Sequence, residues 1–371
     1  MTDSIGAGLP RRVLGRTGIE VSAVGIGCWP IGGPDHNLGL PMGWGPVEDS
    51  DAVAALERAV ELGANLFDTA DVYGHGRSER LLGRLVAQVR RDSVVLVSKV
   101  GYFAGTAPHG FDPGHMRRQL EQTLQNLGTD YLDVYSLHHA DFGPDDRYLD
   151  GAVEAMRTFR ERGLIRAIGM RGPHRFALDR LSTPAALRGD KVARFRALFE
   201  AVRPDVLAVR DNLLTPDGPG TAGVVAVADR EDCGVLVTKP LAQGLLTGSY
   251  APSRPRVFGP GDHRGRKRWF TPAAVAVVAD GLEELRQLVG PEPGGLIRIA
   301  LWACLARSAR AVTLVGFTRS DQVTTNLTCL GEAPEPATIA AARGIMAGVQ
   351  ARLDATGQVF LDEVLDGAAP R

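Results

Sequence analysis

The chain has 371 residues, of which 44% are hydrophobic and 23% are charged, the balance of a water-soluble globular protein. Its formal net charge of −1 excludes a general electrostatic attraction to nucleic acid or to an anionic membrane. The sequence contains no run of about 18 apolar residues that would span a bilayer. Its first residues lack the apolar core of a signal peptide. We therefore expect a cytoplasmic protein with neither a nucleic-acid nor a membrane partner.

The four cysteines are spaced too irregularly for a metal or disulfide framework. They are Cys28, Cys233, Cys304 and Cys329. We interpret them as small buried hydrophobic residues of a protein in a reducing compartment. The neighbours His138 and His139 suggest a metal pair, but adjacent strand residues point to opposite faces, and no third ligand is suitably spaced. We predict no metal site.

In chain order, the first predicted element is a β-hairpin over RRVLGRTGIE that turns at Thr17-Gly18. Eight short apolar segments typical of β-strands follow, and stretches with helical periodicity separate them. The segments cover residues 21–28, 64–70, 94–100, 132–138, 165–170, 206–211, 234–240 and 311–316. This alternation predicts a parallel sheet buried on both faces. Eight units favour a closed (β/α)8 TIM barrel over an open doubly wound sheet.

We therefore predict one α/β domain over residues 1–371, with the barrel at about 20–330. The N-terminal hairpin should plug the bottom of the barrel, and residues 331–371 should add a C-terminal helical extension and a loose tail. Two long loops, 29–47 and 241–272, follow the first and seventh strands. Loops after barrel strands build the active site, and loops of this length are usually lids or binding loops.

A carboxylate, a phenol, an ammonium and an imidazole follow the second, third and fourth predicted strands. Asp68 ends the second strand, and Tyr73 comes five residues later. Lys99 ends the third strand and His138 the fourth. Barrel geometry should bring all four side chains to one mouth. An ammonium lowers the pKa of a nearby phenol, and carbonyl reduction needs a proton donor where negative charge develops on oxygen.

Each of these residues also has an ordinary structural explanation when taken alone. Asp68 could cap the next helix, Tyr73 could pack within its loop, and Lys99 could point into solvent. All these explanations would have to hold together at four positions of one barrel mouth. The catalytic interpretation is therefore favoured.

The segment ANLFDTADVYGHGRSE resembles the aldo-keto reductase pattern of a strand-end DTA followed by YG and SE. VLVSKVG and LDVYSLHHAD are similar to that family's lysine strand and histidine strand. The resemblance extends from VLGRTGIEVSAVGIGCW to GFTRSDQVTTNL, and it favours the family's longer bacterial branch, which includes sugar and carbonyl reductases and channel β-subunit-like members. It implies a catalytic tetrad of Asp68, Tyr73, Lys99 and His138, with Tyr73 as the proton donor.

The segment from Gly25 to Pro30 lacks the third glycine of a GxGxxG motif, so a Rossmann site is excluded. The resemblance instead implies NADPH, held by TKPLAQGLLTGSY at the pyrophosphate and by LVGFTRSDQVTTN at the 2′-phosphate and adenine. Arg319 facing the 2′-phosphate favours NADPH over NADH, although it could also be a solvated residue at a helix start. The cofactor-binding residues that we predict are Arg171, Lys239, Pro240, Leu241, Gln243, Gly244, Leu245, Gly316, Thr318, Arg319, Gln322 and Asn326.

Three positions depart from the family pattern around the nicotinamide. Arg171-Gly172 stands where the family usually has the Ser-Asn pair that holds the carboxamide. Ala208 replaces a common glutamine, and Thr238 replaces the aromatic residue that stacks on the ring. We predict either that Arg171 holds the carboxamide or that nicotinamide binding is weak.

The predicted substrate contacts are Trp29, Phe103 and His138. Further candidates on the mouth loops are Trp44, Tyr102, Asp141, Arg171, Trp269 and Phe270, with loop packing favoured for Trp44, Trp269 and Phe270. Aromatic walls suit sugars, steroids and polyketides alike.

The resemblance implies NADPH-dependent reduction of a small-molecule aldehyde or ketone to an alcohol, with a sugar or natural-product intermediate of secondary metabolism as a candidate substrate. Two alternatives stay open: an NADP(H)-binding sensor or regulatory protein with vestigial activity, and a relative recruited to a different reaction. Homo-oligomerisation also stays open.

Overall fold

A computed structural model describes the chain over residues 8–37, 39–172, 191–215, 219–292 and 294–356. Its centre is a closed barrel of eight parallel strands. Around the ring these strands are β3 (Val24–Gly27), β6 (Leu66–Asp68), β7 (Val95–Val100), β8 (Leu132–Leu137), β9 (Ile165–Arg171), β10 (Val206–Arg210), β11 (Gly234–Thr238) and β12 (Ala311–Gly316), which returns to β3. Two short strands, β4 (His36–Asn37) and β5 (Leu40–Pro41), pair antiparallel in the loop after β3. The predicted (β/α)8 fold is confirmed.

Helices surround the barrel on its outer side. In the part of the chain that the structure describes they are α1 (Asp49–Glu61), α2 (Arg77–Val86), α3 (Pro113–Leu127), α4 (Leu149–Glu161), α5 (Lys191–Val202), α6 (Pro219–Arg230), α7 (Pro272–Val289), α8 (Gly295–Leu305), α9 (Ser320–Thr328) and α10 (Pro336–Asp354). The ends of α3 show why such segments are helical: the Asp112 side chain accepts a hydrogen bond from the backbone of His115, and Gly128 ends the helix at φ 65°. None of the helices described is long and apolar enough to cross a bilayer.

The predicted hairpin forms from β1 (Arg11–Val13) and β2 (Glu20–Ser22), which pair antiparallel. Leu14, Ile19 and Val21 are buried in one cluster with inward-facing barrel residues such as Leu66 and Val134. The hairpin therefore fills the bottom of the barrel, as the sequence predicts.

The segment predicted as one strand over residues 21–28 is in fact two strands, β2 and β3. Hydrogen bonds at Ser22 explain the break. The backbone of Ser22 donates to the Asn65 side chain, and its hydroxyl donates to the carbonyl of Val24. The chain therefore leaves the hairpin at Ser22 and enters the barrel at Val24.

The C-terminal extension contains the predicted helix, α10, and residues 357–371 lie outside the described part of the chain. Asp211, which follows β10 and is only 1% exposed, anchors this helix. It accepts hydrogen bonds from Arg307 after α8 and from Arg343 on α10. A buried carboxylate between two guanidiniums is a compensated charge, so it fixes α10 against the barrel wall.

Candidate active site

The barrel mouth brings the four predicted catalytic side chains into one cavity of about 1310 Å³. Asp68 ends β6, and Lys99 lies one residue before the end of β7. The ammonium Nζ of Lys99 donates to Asp68 Oδ1 at 2.6 Å and to the carbonyl of Thr69 at 2.7 Å. Both side chains are more than nine-tenths buried, so this is an ion pair shielded from solvent.

Tyr73 is in the loop between β6 and α2, beside this ion pair. Nζ of Lys99 lies 5.1 Å from the centroid of the Tyr73 ring. The ring also stacks on Trp29, with centroids 6.0 Å apart. Gly32 allows this packing, because a Cβ at that position would lie 2.9 Å from the carbonyl carbon of Tyr73.

His138 directly follows β8 and is 3% exposed. Its backbone N–H donates to the carbonyl of Val100 at 2.9 Å, which continues the sheet ladder by one residue. The imidazole meets the Tyr73 ring edge-on at 5.7 Å and the Tyr102 ring at 4.7 Å. The imidazole and the phenol thus border the same space. A carbonyl oxygen in that space would have two hydrogen-bond donors.

Burial dominates the electrostatics of this group. Burial raises the pKa of Asp68, against the pull of Lys99. It would lower the pKa of Lys99, but the attraction of Asp68 and then of Tyr73 outweighs it and leaves that pKa above its usual value. Burial also raises the pKa of Tyr73, and Lys99 offsets this only in part. Lys99 therefore acts on the phenol in the expected, lowering direction, but burial outweighs it, so the net pKa is raised and Tyr73 keeps its proton at neutral pH.

A buried polar network behind the cavity holds the Tyr73 loop in place. Glu79, near the start of α2, accepts hydrogen bonds from Ser98, Thr123 and Asn126 at 2.8–2.9 Å. These partners lie on β7 and α3. The network therefore joins three elements around the loop, which gives a structural role to the SE of the DTADVYGHGRSE motif.

The two long loops meet above the cavity and form what we call the clasp, residues 41–44 and 261–264. The backbone N–H of Gly43 donates to the carbonyl of Gly261 at 2.9 Å, and His263 returns a bond to the carbonyl of Gly43 at 3.1 Å. The His263 ring, 1% exposed, also bonds that carbonyl through Nδ1 at 2.6 Å and stacks on Trp29 at 4.2 Å. The clasp turns an open barrel mouth into a roofed groove.

Most predicted cofactor residues line this groove. They are Arg171, Lys239, Pro240, Leu241, Gln243, Gly244, Gly316, Thr318, Arg319, Gln322 and Asn326. Leu245 does not line it, because its side chain is 3% exposed and packs in the core. The loop after β11 has an unusual backbone, with positive φ at Lys239 (61°), Ala242 (47°), Gln243 (61°) and Gly244 (94°). Such alternation of backbone conformations turns N–H groups toward a common concavity, the geometry of an anion site.

Some of the predicted substrate residues line the cavity and others do not. Trp29 and His138 line the cavity, as do Trp44, Tyr102 and Asp141 from the wider set of candidates. Phe103 does not line it, because its ring packs edge-on against His75 at 5.5 Å. Trp269 is 5% exposed in the hydrophobic core, as the loop-packing interpretation predicts.

Several cavity residues were not predicted from the sequence. They include Asn37, Met42, Tyr250, His263, Arg264 and Lys267. The basic composition of residues 241–272 indicated that arginine and lysine side chains lie near the barrel mouth, but not which of them line the cavity. His263 had no local signal, because its environment is built by contacts with Gly43, about 220 residues away in sequence.

The model of the aldo/keto reductase family matches residues 23–337. Among curated proteins, L-galactose dehydrogenase of Arabidopsis thaliana is 28% identical over 334 residues, which cover 86% of this chain and 88% of that protein. NADH-specific methylglyoxal reductase of Escherichia coli is 28% identical over 331 residues, covering 85% of this chain and 92% of that protein.

Solved structures show the same fold. A glycerol dehydrogenase of Gluconobacter oxydans superposes with a TM-score of 0.70 at 20% identity, covering 97% of this chain and 99% of that one. A holo aldo-keto reductase of Bacillus halodurans gives a TM-score of 0.65 at 22% identity, covering 92% and 96%. The match of the family model across most of the chain agrees with the tetrad at the barrel mouth: this chain belongs to the aldo/keto reductase family.

Proposed function

We propose that this protein reduces an aldehyde or ketone to an alcohol with NADPH and that Tyr73 supplies the proton. The observation that carries the proposal is the convergence of Tyr73, Lys99, Asp68 and His138 at one end of a roofed cavity. Membership of an oxidoreductase family supports the reaction type.

The four side chains have distinct tasks in this proposal. His138 and Tyr73 donate hydrogen bonds to the carbonyl oxygen, which polarises it and fixes its orientation. NADPH, when bound, supplies the hydride to the carbonyl carbon. As negative charge grows on oxygen, Tyr73 transfers its proton there, and the Lys99 ammonium stabilises the phenolate that remains. Asp68 keeps Lys99 charged and in place.

The groove fits a polyanionic dinucleotide. Arginine and lysine side chains line it along the loop after β11 and at the start of α9, namely Arg256, Arg264, Arg266, Lys267 and Arg319. The acids among its lining residues are Asp68, Asp141 and Asp321, and Asp68 is already paired with Lys99. The excess of positive charge and the anion-site backbone at 239–244 support a ligand that carries phosphates.

The relatives differ in the cofactor that their names give. The proposed preference for NADPH over NADH therefore rests on Arg319. One relative is named an NADH-specific reductase, while a yeast relative that is 26% identical is named an NADP(+) enzyme. Arg319 lines the groove at the start of α9 and holds only an exposed ion pair with Asp321 at 3.0 Å. A surface pair of this kind is weak, so the guanidinium can turn to a 2′-phosphate at little cost.

A sugar or natural-product carbonyl remains our proposal for the substrate class. The relatives' names refer to galactose, methylglyoxal and glycerol, all small polar molecules. A cytoplasmic location is part of the proposal and is supported by the four cysteines, all of them unpaired.

The test compares the wild type with Tyr73→Phe. We measure NADPH binding by quenching of tryptophan fluorescence and NADPH oxidation by absorbance with a panel of aldehydes and ketones. Removal of a general acid typically costs 10²- to 10⁴-fold in rate. We expect kcat to fall by about that factor, with little change in NADPH affinity. Tyr131→Phe is the matched control. It removes the hydroxyl group of a ring on which Arg91 stacks at the barrel exterior, and it should keep full activity.

The alternative functions predict other outcomes. Tight NADPH binding without turnover of any carbonyl would favour a sensor or regulatory protein. Turnover that Tyr73→Phe leaves unchanged would refute the proposed acid and favour a relative recruited to another reaction.

A further inference from the structure

Arg171 occupies a position beside the catalytic imidazole. Leu137 of β8 and Met170 of β9 are register partners, so the residues that follow them, His138 and Arg171, are laterally adjacent. Paired positions in neighbouring parallel strands face the same side of the sheet. Both residues line the cavity. The guanidinium therefore belongs to the end of the groove where the carbonyl is expected to bind.

The neighbouring strands leave room for this long side chain. Arg171 pairs in register with Ala208 of β10, and the next strand, β11, ends at Thr238. Both are small residues that line the cavity. The three departures from the family pattern thus lie together. Arg171 is larger than the serine that the family usually has there, whereas Ala208 and Thr238 are smaller than the usual glutamine and aromatic residue. The common result is a space in front of Arg171.

Among the described residues, the side chain of Arg171 has no hydrogen-bond or ion-pair partner, although the residue is partly buried. Burial is the largest influence on the pKa of Asp68 and of Tyr73, but the charge of Arg171 also acts on both, in the lowering direction. Partial desolvation of a guanidinium is costly unless an anion compensates its charge. A carboxylate matches its planar donor fork with two parallel hydrogen bonds.

The nicotinamide carboxamide is a weaker candidate for this partner. It is neutral, and the family holds it with neutral side chains. The phosphates of a dinucleotide would be met by the cations of the loop after β11 and by Arg319, away from β9. We therefore assign the anion next to His138 to the carbonyl compound itself.

We propose that Arg171 binds a carboxylate on the substrate, so that the enzyme prefers carbonyl compounds that are also acids, such as aldehyde acids and oxo acids. This inference rests on the proposed reductase function. It makes Arg171 the residue that selects the substrate, while Tyr73 performs the same proton transfer on any carbonyl that binds.

The test uses two substrates that differ in one negative charge and one methyl group, 4-formylbenzoate and its methyl ester. We compare kcat/KM for the wild type, Arg171→Gln and Arg171→Lys with saturating NADPH. A charge-assisted hydrogen bond that is lost typically costs a factor of about 10 to 100. We expect the ratio of kcat/KM for acid over ester to be about that factor in the wild type, to fall to about one in Arg171→Gln, and to be intermediate in Arg171→Lys.

The matched control is Arg166→Gln, which removes an arginine from the opposite end of β9, where it pairs with Asp133 at 2.7 Å. It should retain the preference for the acid. NADPH affinity of Arg171→Gln is measured in parallel. A clear loss of that affinity, with equal losses on acid and ester, would show that Arg171 holds the cofactor and would overturn the proposal. Equal kcat/KM for acid and ester in the wild type would also overturn it.

A binding measurement separates this inference from the reductase proposal. Benzoate and benzamide are titrated into the NADPH complex, and tryptophan fluorescence reports binding near Trp29. Tighter binding of benzoate that disappears in Arg171→Gln supports the anion site even if no carbonyl is reduced, in which case only the reductase proposal fails. Equal binding of both compounds refutes the anion site, whatever the activity.

Discussion

Two opposing influences act on the pKa of the Tyr73 phenol. Burial beneath Trp29 and the clasp disfavours the phenolate, while the Lys99 ammonium favours it. Because burial prevails, the phenol is protonated and ready to donate. The charge of Lys99 becomes important once the proton leaves. The position of Tyr73 beside Lys99 was predictable from the barrel topology, but the net direction of its pKa shift was not, because burial by segments that are far apart in the chain outweighs the charge of Lys99.

We expect Arg319 to determine the selectivity for NADPH over NADH. Replacement by alanine removes the guanidinium proposed for the 2′-phosphate, a group that NADH lacks. A hydrogen bond to a charged group contributes about 1.5–3 kcal/mol, so NADPH affinity should fall by about 10- to 100-fold while NADH affinity stays nearly constant. Fluorescence titration with both cofactors measures this.

Arg310→Ala is the control for this experiment. Arg310 lies just before β12 and pairs with Asp232 at 2.6 Å, whereas Arg319 follows the same strand. The control should bind both cofactors normally. Equal losses of NADPH and NADH in Arg319→Ala would show that the phosphate contact is misassigned.

At the scale of elements, the clasp is the feature that sequence patterns could not reveal. The lengths and positions of loops 29–47 and 241–272 predicted that both overhang the barrel mouth, and the structure agrees. Their contact through Gly43 and His263 depends on tertiary packing between segments that are far apart in the chain. Neither loop has a periodic pattern from which such a contact could be inferred.

The clasp should open at acidic pH. Burial first, and then the charges of Lys267 and Lys239, lower the pKa of His263 well below its usual value. Its neutral form is therefore favoured in the closed state. A group with a lowered pKa in the folded state contributes stability above its unfolded pKa of about 6.5, and this contribution is lost as the pH falls. The protection factors of the backbone amides at 261–264, which correct for the pH dependence of intrinsic exchange, should fall below pH 6.5 by up to about tenfold per pH unit.

His263→Asn provides the comparison for this prediction. Its amide can donate to the carbonyl of Gly43, as Nδ1 of His263 does, but it does not titrate. The variant should keep the clasp and show no loss of protection at acidic pH. An identical pH dependence in the variant and the wild type would show that another group controls the opening.

For the molecule as a whole, the repeated alternation of strand-like and helix-like segments in the sequence was the most informative signal of the fold. Eight strand-and-helix units predicted the barrel, and the hairpin and the C-terminal helix were found where expected. The break at Ser22 was missed because the apolar pattern continues through it while side-chain hydrogen bonds redirect the chain. Barrel topology also explains why the sequence predicts that Asp68, Tyr73, Lys99 and His138 lie together, since it forces the ends of β6, β7 and β8 to meet.

The central claim is that the cavity transfers a hydride from NADPH to a carbonyl carbon. The most direct measurement uses NADPH labelled with deuterium at nicotinamide C4, each stereoisomer in a separate reaction, with mass spectrometry of the product. A single bound orientation of the nicotinamide predicts an alcohol one mass unit heavier from one stereoisomer and an unlabelled alcohol from the other. The absence of deuterium in the product from both stereoisomers would contradict the claim.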